Sequence, residues 1–125
     1  MDLDGTIRIT GLRQLVDLCS QGEYQRSVWT LVGENLEWAA PEVVAQNDNF
    51  TEKADIYSLG IAALELAFNK TPFDDWAPLR ILLSKVKYDL PAPESTPVRK
   101  MSKNFYRFVQ LCTSKEPTWR YVLVV

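Results

Sequence analysis

Glu37-Trp38-Ala39-Ala40-Pro41-Glu42, then a spacer, then Asp55-Ile56-Tyr57-Ser58-Leu59-Gly60: these two stretches decide the fold. The second opens the strongest helix in the sequence, predicted over residues 51–68. Thr51 offers an N-cap hydroxyl, Glu52 suits the first turn, and Asn69 tolerates the left-handed conformation past a helix end. From Ala54 to Phe68 nearly every position is apolar or small. A helix apolar on all faces is a core helix surrounded by other elements. Gly60 inside it costs about 1 kcal/mol against Ala, so a closely packed neighbour is the expected reason for it. Asp55 and Glu65 are the two acids of this helix. Each needs donors or solvent, because an unpaired buried carboxylate is expensive.

Downstream, a second helix is predicted over residues 77–88. Pro78 suits its first turn, and Leu79, Leu82, Leu83 and Val86 form its expected inner face. Residues 89–101 carry Pro91, Pro93 and Pro97 and read as an exposed loop. A third helix starts after Ser102 as N-cap, with Phe105, Phe108, Val109 and Cys112 as an inner stripe that reads as core rather than a cofactor site. Residues 121–125 are β-prone and uncharged. Upstream, Asp4-Gly5 signals a turn, and residues 6–10 alternate as a short strand that needs a partner. Residues 12–36 are irregular, with breaks at Gly22 and Gly33 and apolar anchors at Trp29 and Leu31.

At 125 residues and 46% hydrophobic content, the chain fits one domain or part of a larger one. Net charge is −2 with both signs interspersed. The one local basic cluster, Arg99, Lys100 and Lys103, reads as a solvated helix entry, so nucleic acid is not an expected partner. Cys19 and Cys112 form no C-x-x-C pair, which argues for a reducing compartment and against a disulfide framework or zinc site. The absence of histidine removes His-based catalysis and His metal ligation, and leaves either cysteine without a base. Asp2 and Asp4 are explained by turn chemistry rather than by a metal. Neither a signal peptide nor a membrane-spanning run is present in the sequence, so a soluble protein of the cytoplasm, or also of the nucleus, is expected.

The two opening stretches together resemble the C-terminal lobe of protein kinases. Ala40-Pro41-Glu42 resembles the A-P-E end of the activation segment, and residues 55–60 resemble the D-x-W/Y-S-x-G start of the buried central helix. Thr71-Pro72-Phe73 is similar to the turn that follows it. Gly11-Leu12-Arg13 stands where kinases carry D-F-G. The resemblance implies a mainly α fold: a partial kinase-like C-lobe over residues 1–120, with a short N-terminal strand, a long irregular activation segment and about three main helices. Residues 121–125 would be an atypical tail. It also implies that Arg120 pairs with Glu42, and that Asp55 and Gly60 are structural. Phe73 and Trp76 would lie in a region exposed to partners, with core packing as the competing reading for Trp76.

Within kinases the sequence is most similar to the sterile-20-related adaptor (STRAD) pseudokinases. That group carries Gly-Leu-Arg in place of D-F-G and a "DIYSVGI" stretch like residues 55–61 here. The Asp of D-F-G holds Mg²⁺ in an active kinase, and Gly11 has no side chain to hold it. Active sterile-20-type kinases read G-T-P-x-W-M-A-P-E; the matching positions run from Glu34 to Glu42, with Asn35 where the Thr would contact the catalytic Asp. The Gly-rich loop, the phosphate lysine and the H-R-D loop have no counterpart. The resemblance thus implies a non-catalytic adaptor, without metal or cofactor, in which ATP would be bound only by a longer chain with the N-lobe. Its partners would be a kinase of the liver kinase B type and an armadillo-type scaffold. The departures imply a chain truncated at both ends. Two alternatives stay open: a fragment of an active sterile-20-type Ser/Thr kinase, and a nonfunctional remnant. Tyr24, Ser27 and Thr30 lie in the would-be activation loop as hydroxyls open to phosphorylation.

Overall fold

The computed structural model describes residues 6, 35–45, 51–88, 91 and 101–121. Among these, the fold is mainly helical: α1 (Pro41–Val44), α2 (Lys53–Phe68), α3 (Pro78–Lys87) and α4 (Lys103–Cys112), closed by a 3-10 turn at Pro117–Trp119. The expected strand, Gly11-Leu12-Arg13, Cys19, the activation-loop hydroxyls and the prolines at 93 and 97 lie outside the described residues, as do residues 122–125.

α2 begins with Thr51 as anticipated in part. The helical span starts at Lys53, whose amide donates a long 3.4 Å bond to Thr51 Oγ1, while the Ala54 amide donates to the Thr51 carbonyl at 2.9 Å. It ends at Asn69, left-handed at φ 59°, whose amide donates to the Glu65 carbonyl at 2.6 Å. The helix is not buried on all sides. Ile56, Tyr57, Gly60, Ile61 and Leu64 face inward, whereas Leu66 is 85% exposed and Leu59 about half so. Alanines and leucines around the whole circumference hid which stripe is covered.

α4 is capped as the sequence predicts, with Ser102 Oγ accepting from the Phe105 amide at 3.1 Å. Val109 and Cys112 are buried, while Phe105 and Phe108 are only half-buried. Phe108 stacks on Tyr121 at 5.7 Å. α4 packs against α2 at Gly60. A Cβ placed on Gly60 would lie 2.7 Å from Cys112 Cβ and 2.9 Å from Thr113 Cγ2, so the close approach requires glycine.

α3 corrects the sequence reading. The expected inner face is the outer one: Leu79 is 67% exposed, and Leu83 and Val86 are exposed as well. The buried positions are Ile81, Ser84 and Lys85. The physical reason is a hydrogen-bond demand from the 35–40 segment, which Lys85 meets. The core itself is Ala40, Tyr57, Ile61, Phe73 and Ile81, with Leu36, Trp38, Val43, Ala54 and Trp76 packed around it.

Candidate functional site

The groups that carry charge and chemistry converge on the 35–45 segment. Its first turn is closed by the Asn35 carbonyl, which accepts from the amides of Trp38 at 3.1 Å and Ala39 at 3.0 Å. Pro41 at the first helical position, with no amide to satisfy, lets α1 start directly at Ala40. Side chains from three other elements then hold the segment. From α2, Glu65 accepts from the Trp38 indole at 3.0 Å, and Ser58 Oγ donates to the Trp38 carbonyl at 3.0 Å. From the 71–75 turn, Thr71 Oγ1 donates to the Glu37 carboxylate. From α3, Lys85 Nζ donates to the carbonyls of Glu37 at 2.6 Å and Ala39 at 2.5 Å.

The far side of the segment is fixed by the expected ion pair. Arg120 Nη1 donates to Glu42 Oε1 at 2.6 Å, and Nη2 to Oε2 at 2.9 Å, in a buried bidentate pair. Arg120 Nε also donates to the Ser114 carbonyl, and Nη1 to the Lys53 carbonyl, each at 2.9 Å. Lys53 returns the contact, with Nζ donating to the carbonyls of Arg120 at 3.1 Å and Tyr121 at 2.9 Å.

Tyr57 lies between the two cations. Arg120 and Lys85 each stand 5.2 Å from its ring centroid, and Lys85 is also 4.8 Å from the Phe73 ring. Burial pushes the Tyr57 phenol well above its ordinary range, with Arg120 acting against that and Glu42 with it. Its hydroxyl is buried and has no hydrogen-bond partner among the described residues. Burial brings Lys85 down to about 7, opposed by the nearby negative charge of Glu37. Burial also raises the Cys112 thiol.

The residues singled out from sequence are thus distributed. Trp38, Ala40, Pro41 and Glu42 come together with Arg120 around the buried pair. Asn35 and Asp55 are exposed, and Gly60 belongs to the α2–α4 contact instead. Phe73 requires a correction. It is only 1% exposed, a core residue rather than partner surface, because the 71–75 turn folds it inward beneath Tyr57 and Lys85. Trp76 is half-buried, edge-on to Phe73 at 5.8 Å, with the Arg80 guanidinium 3.8 Å over its ring. Lys53, Thr71 and Lys85 were not legible as site residues, since a lysine in an amphipathic helix gives no sign that it will be buried.

The arrangement holds backbone. Lys53, Lys85 and Arg120 all direct donors at the protein's own carbonyls or at Glu42. These donors are engaged within the protein, and among the described residues there is no cluster of three or more metal-ligating side chains. Among those residues, no helix is long and apolar enough to cross a membrane.

The family model for the protein kinase domain matches residues 7–123. Serine/threonine-protein kinase fray2 of Dictyostelium discoideum is 35% identical over 120 residues, 96% of this chain and 11% of the relative. Germinal center kinase 3 of Caenorhabditis elegans is 35% identical and covers 94% of this chain and 21% of its own length. The human STE20-related kinase adapter protein alpha is 37% identical over 95 residues, 73% of this chain and 22% of the adapter. The chain therefore spans between about a tenth and a quarter of the length of these relatives.

Proposed function

The chain belongs to the protein kinase domain family, and on that premise we propose that it is a pseudokinase adaptor of the STRAD type, binding and allosterically activating a partner Ser/Thr kinase of the liver kinase B type together with an armadillo-type scaffold. It acts in the cytoplasm or nucleus. The observation that carries this reading is Gly11-Leu12-Arg13 at the D-F-G place, in a chain similar to STE20-related adapters. Phosphoryl transfer depends on positioned metal, carboxylate and lysine, and Gly11 offers no metal ligand. The buried Glu42–Arg120 pair is what the kinase family as a whole implies, and it serves this reading and the next alike.

A second reading has an observation of its own. Fray2 and germinal center kinase 3, both named as kinases, match over nearly the whole chain. The chain is then a piece of an active Ser/Thr kinase. The deciding experiment uses the protein that contains this chain, co-expressed with a liver kinase B type kinase and its scaffold. Expected are co-purification, a rise in partner activity, and no phosphate transfer from Mg-ATP by the protein alone. Mg²⁺-dependent transfer above a mock preparation, persisting without the partner, would establish the second reading in its place.

A further inference from the structure

Helices α2 and α3 carry exposed outer stripes of opposite sign. On α3, Leu79, Leu83 and Val86 are exposed, and the exposed charges beside them are Arg80 and Lys87. The span Pro78–Lys87 contains no acid. Lys115 stands 4.6 Å over the Tyr88 ring, which adds a second base at the C-terminal end of α3. On α2, the exposed residues of the outer stripe are Glu52, Asp55, Leu59 and Leu66, with the small, part-buried Ala62 between the two leucines. Steps of three and four residues put these positions on one side of the helix, and both charges there are acidic.

We infer that the α3 stripe of one copy of this chain packs antiparallel on the α2 stripe of a second copy. The spacing selects that direction. Positions 59, 62 and 66 step by three and then four, and so do 86, 83 and 79. Leu59 then meets Val86, Leu66 meets Leu79, and Leu83 enters the space that Ala62 leaves, a large residue opposite a small one. The outer pairs are about 10.5 Å apart along both helices. The same direction carries Lys87 to the end of α2 that holds Asp55 and Glu52, and sets the two helix dipoles in opposition. Pairing like with like is disfavoured. Antiparallel α3 on α3 would bring Arg80 and Lys87 against each other, and α2 on α2 would set Glu52 and Asp55 against their own copies. The contact is therefore between unlike faces, and each chain offers one of each. It uses the chain's own surface and does not depend on the adaptor reading.

The test is complementation between two blocked chains, followed by sedimentation of the 125-residue protein. The unaltered protein should gain weight-average mass with concentration. Leu66→Glu blocks the α2 stripe and Leu83→Glu the α3 stripe, and each variant alone should lose most of that gain. An equimolar mixture keeps one intact pairing, the α3 stripe of the first variant on the α2 stripe of the second. Its mass should approach twice that of the monomer and go no further. A mixture no heavier than its components, at a concentration where the unaltered protein associates, would overturn the pairing. A strictly monomeric unaltered protein would overturn it as well. Should either glutamate variant lose its cooperative melt, charge reversal takes its place. Lys87→Glu should weaken association about threefold, and adding Asp55→Lys to the same chain should restore it. Association no stronger in the double variant than in Lys87→Glu would overturn the pairing.

Discussion

Arg120 aims all three of its side-chain nitrogens at oxygen: two at Glu42, with further bonds to the carbonyls of Ser114 and Lys53. Removing either member of such a pair strands the other charge in a dry site. Glu42→Gln or Arg120→Ala should each cost roughly 3–5 kcal/mol by denaturant unfolding. Arg120→Lys should recover only part of that, since an ammonium lacks the planar fork. Equal stability of the Arg120→Lys and unaltered proteins would contradict the bidentate geometry. Gly60 makes a steric prediction of the opposite kind. Alanine gains about 1 kcal/mol of helix propensity, yet its Cβ would sit 2.7 Å from Cys112 Cβ. Overpacking costs about 1–3 kcal/mol, so Gly60→Ala should be neutral to destabilising, and a clear rise in Tm would refute the close contact. The Arg120–Glu42 pair came to light from sequence only through family likeness, because 78 residues separate its members. Lys85 did not come to light at all. Its burial answers a demand from carbonyls 46 and 48 positions away, and side-chain patterning carries no record of main-chain acceptors.

Helix α4 was legible because its Ser102 cap and the inward Val109 and Cys112 agreed, and α2 was legible in extent from its apolar run ending at Asn69, though not in which stripe is covered. α3 was legible in extent and misread in facing. Leu79, Leu83 and Val86 carry most of its apolar periodicity, so periodicity selects the stripe that faces water, while Ile81, Ser84 and Lys85 face the core. This yields a paired test. Leu79→Glu should alter stability by no more than about 0.5 kcal/mol, whereas Ile81→Ala should cost about 2–5 kcal/mol. The reverse order would restore the original facing. Ser102→Ala should cost about 1 kcal/mol through its single cap bond to the Phe105 amide.

On the scale of the whole molecule, exposed apolar side chains lie on several elements: Leu59 and Leu66 on α2, Leu79, Leu83 and Val86 on α3, and Trp119 beyond α4. A protein with this much uncovered apolar surface is expected to associate with itself when purified alone. Sedimentation should show weight-average mass rising with concentration, and Leu66→Glu should reduce that rise with little change in stability, since Leu66 is 85% exposed. A strictly monomeric chain at all concentrations would contradict the expectation.

The reciprocal grip of Lys53 and Arg120, each bonding the other's main chain, has a consequence in time. A ribosome makes Glu42 first, Lys53 soon after, and Arg120 only 78 residues past Glu42. Until then the carboxylate has no counter-ion, and the end of the 35–45 segment cannot be drawn into the interior. Contacts of such long sequence separation form slowly, since the loop between them must close before they contribute. The native arrangement therefore waits until Arg120 has emerged, and through that interval α2 lacks part of the structure that covers its inward stripe, a state in which chaperones find their clients.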